Sequence, residues 1–186
     1  MKYLSVKTLK PILYFLLFVF LFFESSTIQA QKQEDNNKDQ ATVIFLVRHA
    51  EQEKEWKGDP PLNAQGKART ALLTSVLSKS PLSAVYATHV LRATSTAAPL
   101  LEANGLELTT YKLEDDETQL VKTILKKHAG KNILIIGHSG NIAELLNAAT
   151  SSKKYDDKAV DQFNDLYIIS FVGNHAGMVT RLNYGQ

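Results

Sequence analysis

Thr42-Val-Ile-Phe-Leu-Val47 runs straight into Arg48-His49-Ala50-Glu51, and ninety residues later Asn132-Ile-Leu-Ile-Ile136 runs into Gly137-His138-Ser139-Gly140-Asn141. Each stretch is a continuous apolar run rich in β-branched residues, the pattern of a strand buried on both faces. The segments around them alternate in type. Asn63 can cap a helix reaching about Ser78, with Ala68, Ala71, Leu72 and Val76 on its apolar side, and Pro81 follows its end. Ala84-Val-Tyr-Ala87 is a short strand; Leu91 to Ala103 reads as a helix stopped by Gly105. Leu108 to Tyr111 is a further strand. Asp116 or Thr118 can then cap a helix with the face Leu120, Val121, Ile124 and Leu125, ended by Gly130. Ile142 to Ala149 is helical, Ser151 to Asp161 is a polar loop, and Leu166–Phe171 with Met178–Leu182 flank Gly173–Gly177 as a hairpin. The expected class is α/β: an open, mostly parallel sheet with helices on both faces and the C-terminal hairpin at its edge.

The first 40 residues read differently. Lys2, Lys7 and Lys10 precede an uncharged run of twelve apolar residues, Ile12 to Phe23. That run is short for a membrane span and fits the apolar region of an export signal, with residues 1–30 as signal peptide and cleavage after Ala30. An uncleaved anchor is the alternative. Residues 31–40 (QKQEDNNKDQ) are polar throughout and read as a disordered tether, leaving 41–186 as the domain. The expected location is periplasmic or secreted, with no membrane attachment after cleavage. Removing the leader leaves 18 basic and 18 acidic residues, since it carries three Lys and one Glu of the 21 and 19 in the whole chain. A neutral domain does not suit a nucleic-acid partner. The absence of Cys excludes a disulfide scaffold and a cysteine-ligated metal centre.

Open parallel sheets bind ligands beyond the C-terminal ends of their strands. His49 and His138 each follow such an end. Thr88-His89-Val90-Leu91-Arg92 follows the strand 84–87, which places Arg92 near a helix start at the same edge. Two Arg and two His gathered there describe a pocket for a dianion, because guanidinium groups match phosphate oxygens in pairs.

Arg48-His49-Ala50-Glu51, then Val85 to Leu100 (VYATHVLRATSTAAPL), then Gly137-His-Ser-Gly-Asn-Ile142 resemble the three signatures of the histidine phosphatase superfamily, in its phosphoglycerate-mutase-like branch. The resemblance covers almost all of residues 42–150. It implies that His49 is the nucleophile that takes the phosphoryl group and that Arg48, Arg92 and His138 hold the phosphate oxygens. It also implies that no metal or other cofactor is needed, the guanidinium groups meeting the transition-state charge. The substrate class is a small phosphorylated compound.

Members of that family usually carry an acid that protonates the leaving oxygen. Here Asp115 or Asp116 is favoured by position after strand 108–111, against a helix start that complements the helix dipole; Glu51 is the other acid near the site, against pairing with Arg48 or a backbone donor. Ser139 either binds phosphate or caps the following helix. His89 is either a rim residue or an exposed turn residue, His128 sits at a helix C-terminus, His175 is in the hairpin turn, and Trp56 lies in a loop where it packs on substrate or on its own domain. The expected function is an exported, metal-independent phosphatase with a phosphohistidine intermediate on His49. The alternative is a phospho-ligand-binding module with little or no turnover. A mutase needs a second phosphate site, for which the short chain shows no segment.

Overall fold

Both apolar runs are strands of one sheet in the computed structural model, which describes residues 40–185 apart from positions 114, 159, 161 and 174. The signal peptide and all but the last residue of the tether therefore lie outside the described residues. The strands are β1 (Thr42–Arg48), β2 (Ala84–Ala87), β3 (Leu108–Thr110), β4 (Asn132–Gly137), β5 (Asp165–Phe171) and β6 (Met178–Asn183). The helices are α1 (Ala64–Leu77), α2 (Leu91–Asn104), α3 (Glu117–Lys127) and α4 (Ile142–Thr150). The sheet order is β3-β2-β4-β1-β5-β6. The first four strands in that order are mutually parallel, and β5 and β6 complete it as an antiparallel hairpin at the edge.

The period of two along each strand splits the core. Ile44, Leu46, Ile133 and Ile135 face α3 and α4, while Phe45, Val47, Leu134 and Ile136 face α1 and α2. β1 and β4 are paired on both sides, so neither face nor edge meets water, and only a run without polar alternation satisfies that position. The caps follow their chemistry: Asn63 Oδ1 accepts from the Gly66 N–H at 2.8 Å, Gly105 closes α2 at φ 62°, and Asp116 accepts from the amides of Thr118 and Gln119.

α1 corrects the expected face. Ala68, Ala71, Leu72 and Val76 are exposed, and the helix buries Gly66, Arg69, Thr70, Leu73 and Leu77. Polar side chains can be buried when they are fully paired. Arg69 is, by Glu51, and the Thr70 hydroxyl donates to the Gly66 carbonyl. Gly66 lets the helix press against the chain after β1, since a Cβ there would overlap the Glu51 carbonyl oxygen. Among the described residues no helix is long and apolar enough to cross a membrane.

Candidate active site

Parallel pairing brings the two histidines together. Arg48 stands opposite Gly137 in the β1–β4 register, and the His49 N–H donates to the Gly137 carbonyl at 3.0 Å. Neighbouring strands release their next residues side by side, so the rings of His49 and His138 lie 5.0 Å apart between centroids. β2, on the other flank of β4, delivers Thr88 and then Arg92 in the first turn of α2. Arg48, His49, Arg92 and His138 line one cavity of about 380 Å³. Its rim is Gln52, Leu113 and the Ser139–Asn141 turn.

The hydrogen bonds fix both tautomers. His49 Nδ1 is 2.8 Å from the Ala50 carbonyl oxygen, which can only accept, so Nδ1 carries the ring proton and Nε2 keeps its lone pair. Arg92 Nε donates to that Nε2 at 3.2 Å. His138 Nδ1 lies 3.5 Å from Arg92 Nη2, which can only donate, so His138 holds its proton on Nε2, 2.8 Å from the Thr88 hydroxyl. Burial, with His138, Arg48 and Arg92 around it, pulls His49 down to about 3 against the upward pull of the Ala50 carbonyl. Burial, then Arg92 and Arg48, pulls His138 down to about 4. Both imidazoles are thus neutral at pH 7, and the charged groups among the described lining residues are the guanidiniums of Arg48 and Arg92. The Arg48 guanidinium lies over the Phe163 ring at 4.0 Å from its centroid.

The acid candidates go elsewhere. Glu51 is buried against Arg69, whose Nε donates to Oε1 and Oε2 at 2.7 and 2.8 Å; this is an ion pair with α1, not with Arg48. Arg69 Nη1 also donates to the Tyr184 carbonyl, tying the end of β6 to the chain after His49. Asp115 accepts from the Lys112 N–H and Asp116 caps α3. None of the three lines the cavity, and among its described lining residues there is no carboxylate. Ser139 does line it and is not the cap, because α4 starts after Asn141. His89 and His175 are exposed. His128 closes α3 with Nε2 3.0 Å from the Tyr86 hydroxyl. Trp56 is 56% exposed, against the expectation that it packs on its own domain; the residues beside it in sequence, Glu53–Asp59, are otherwise polar or glycine. Among the described residues no cluster of three or more His, Cys, Asp or Glu forms a metal site.

Several positioning groups escape a reading of the motifs. Thr96, fully buried, donates to the Arg92 carbonyl at 2.7 Å and accepts from the Ala50 N–H at 2.9 Å, joining α2 to the turn after His49. Its place one helical turn beyond Arg92 is the signal that could have found it. Asn141 Oδ1 accepts from the His138 N–H at 2.9 Å. Phe163 comes from the loop before β5, with no signal in its surroundings.

No curated protein sequence matches this chain. The model of the histidine phosphatase superfamily (branch 1) matches residues 44–116, a span that holds Arg48, His49 and Arg92. Solved structures share the fold at low identity. The mycobacterial glucosyl-3-phosphoglycerate phosphatase is 14% identical with a TM-score of 0.63, over 78% of this chain and 100% of that one. A phosphoserine phosphatase from Entamoeba histolytica, in complex with 3-phosphoglyceric acid, is 14% identical with a TM-score of 0.63, over 78% and 98%. The protein histidine phosphatase SixA, complexed with tungstate, is 15% identical with a TM-score of 0.60, over 76% and 96%. Residues 44–116 thus resemble the histidine phosphatase superfamily, and the chain shares the fold of these phosphatases.

Proposed function

We propose that the chain is an exported phosphomonoesterase that needs no metal and works through a phosphohistidine on His49. One observation carries the reading: His49 commits Nδ1 to the Ala50 carbonyl and turns its lone-pair nitrogen toward a cavity holding two guanidiniums and a second imidazole. A phosphomonoester dianion draws Arg92 Nε from that lone pair onto a phosphoryl oxygen. His49 Nε2 then attacks phosphorus, the P–O bond to the leaving group breaks, and the departing oxygen takes its proton from water. Water next attacks the same phosphorus, the P–N bond breaks, and the water's proton leaves with the inorganic phosphate or passes to solvent. Arg48 and Arg92 oppose the charge on the equatorial oxygens. His138 binds a proton with the dianion, so that Nδ1–H meets a phosphoryl oxygen while Nε2–H stays on Thr88.

Rapid mixing with radiolabelled phosphomonoester and an alkaline quench, which preserves phosphohistidine, tests the reading without added metal. Label on wild type and none on His49→Ala is expected; full turnover by His49→Ala overturns it. The carboxylate-free lining among the described residues favours a second reading, a phosphate-binding module with little turnover. Hydrolysis of p-nitrophenyl phosphate, lost in His49→Ala, rejects that second reading. Export rests on residues 1–30 and is tested by the N-terminal residue of the protein recovered outside the cytoplasm.

A further inference from the structure

We propose that Asp59 is a positioning residue that clamps Arg92 from outside the reaction centre. α2 begins without a cap of its own: its N-cap residue, Val90, has extended geometry and no side-chain hydrogen bond to the helix. The missing acceptor comes from 32 residues upstream, where Asp59 Oδ2 accepts from the Leu91 N–H at 2.6 Å. The other oxygen, Oδ1, lies 3.6 Å from Arg92 Nη1. One carboxylate thus holds the first amide of the helix and the guanidinium of its second residue.

The three nitrogens of that guanidinium then have separate partners: Nε on His49, Nη2 beside His138 and Nη1 beside Asp59. The first two partners are the groups that must change state when a phosphoryl group arrives. His49 has to free its lone pair, and His138 has to turn from acceptor to donor. Asp59 alone among the three can keep its grip throughout, so the guanidinium can turn toward the phosphate about a fixed Nη1 edge. An anion at a helix N-terminus is favoured there by the exposed amides and the helix dipole. At 46% side-chain exposure the ion pair adds little stability; what it supplies is orientation. The loop bearing Asp59 is itself held at both ends, by the Gln52–Leu62 bridge and by the Glu53 N–H on the Pro61 carbonyl. Any group that engages that loop therefore acts on Arg92.

The turnover arm of the test rests on the phosphatase reading; the spectroscopic arm does not. In Asp59→Asn the amide oxygen still caps Leu91, so the melting temperature stays near wild type, but Nη1 loses its anchor. We expect kcat for p-nitrophenyl phosphate to fall about tenfold, in line with the cost of misplacing a catalytic group, while inorganic phosphate binds no more weakly by calorimetry. We also expect the slowly exchanging Arg92 Nε–H signal of the free protein to broaden or vanish in nitrogen NMR. An unchanged Arg92 signal overturns the proposal whatever the turnover, and so does kcat at the wild-type value. A parallel loss of melting temperature, kcat and phosphate affinity makes Asp59 structural only and also overturns it. A wild type that turns over no phosphomonoester sinks the phosphatase reading, and the NMR arm still decides on the clamp.

Discussion

His49 and His138 show what the cavity does to an ordinary side chain. Both are held neutral, at about 3 and about 4, where an unperturbed His titrates at 6.5. The acid limb of kcat/KM assigned to the free enzyme therefore lies well below pH 6. Measured with an aryl phosphate and corrected for the substrate's own ionisation, an enzyme limb at pH 6.5 contradicts the burial argument. The same groups tie stability to pH. Unfolding releases two imidazoles that bind protons below 6.5, so the unfolded state holds more protons than the folded one between 6.5 and about 3. Their contribution is complete above 6.5 and is lost as pH falls toward 4 and then 3. The melting temperature of wild type drops between pH 7 and pH 5, and drops less in His138→Asn. Arg69 makes a different demand. Replacing it with Met strands the Glu51 carboxylate in the core, at a cost of about 3–5 kcal/mol in urea unfolding.

At the level of the elements, the strands are readable and the helix faces are not. β1 and β4 announce themselves because a strand covered on both sides has one acceptable composition. α1 misleads because its apolar residues and its buried residues are different sets: Arg69 and Thr70 enter the core with their partners, while Leu72 and Val76 stay at 39% and 45% exposure. Periodicity sees polarity and cannot see a partner 18 residues upstream. Two neighbouring leucines measure the difference. Leu73→Ala, fully buried, costs about 2–5 kcal/mol, and Leu72→Ala stays within about 0.5 kcal/mol; equal losses would restore the original face. Gly66→Ala also destabilises, although alanine in a helix interior usually gains about 1 kcal/mol over glycine, because its methyl meets the Glu51 carbonyl.

The whole molecule adds what no local pattern carries, the order of the strands. β4 lies between β1 and β2, although β2 and β3 come between β1 and β4 in sequence, and this interleaving turns three distant motifs into one edge. The ligand-bearing ends are legible from strand-then-histidine and strand-then-arginine; the acid is not, because Glu51, Asp115 and Asp116 differ from a proton donor only in their neighbours. With no carboxylate among the described lining residues, the rate should follow the stability of the departing oxyanion. Aryl phosphates then outrun alkyl phosphates by more than about a hundredfold, consistent with the loss of general acid help, and a panel of esters of graded leaving-group acidity reads the slope. A flat series would reveal a donor.

β1 is bonded along both sides, to β4 and to β5, whereas the loop from Glu53 to Pro61 meets α2 through an exposed contact at Asp59. His49 thus follows a strand paired along both sides, while Arg92 is held in part from an exposed loop, the kind of segment that opens at lower free energy than a paired strand. Warming should silence the catalyst several degrees before calorimetry detects the cooperative transition, and cooling from that window should bring full turnover back.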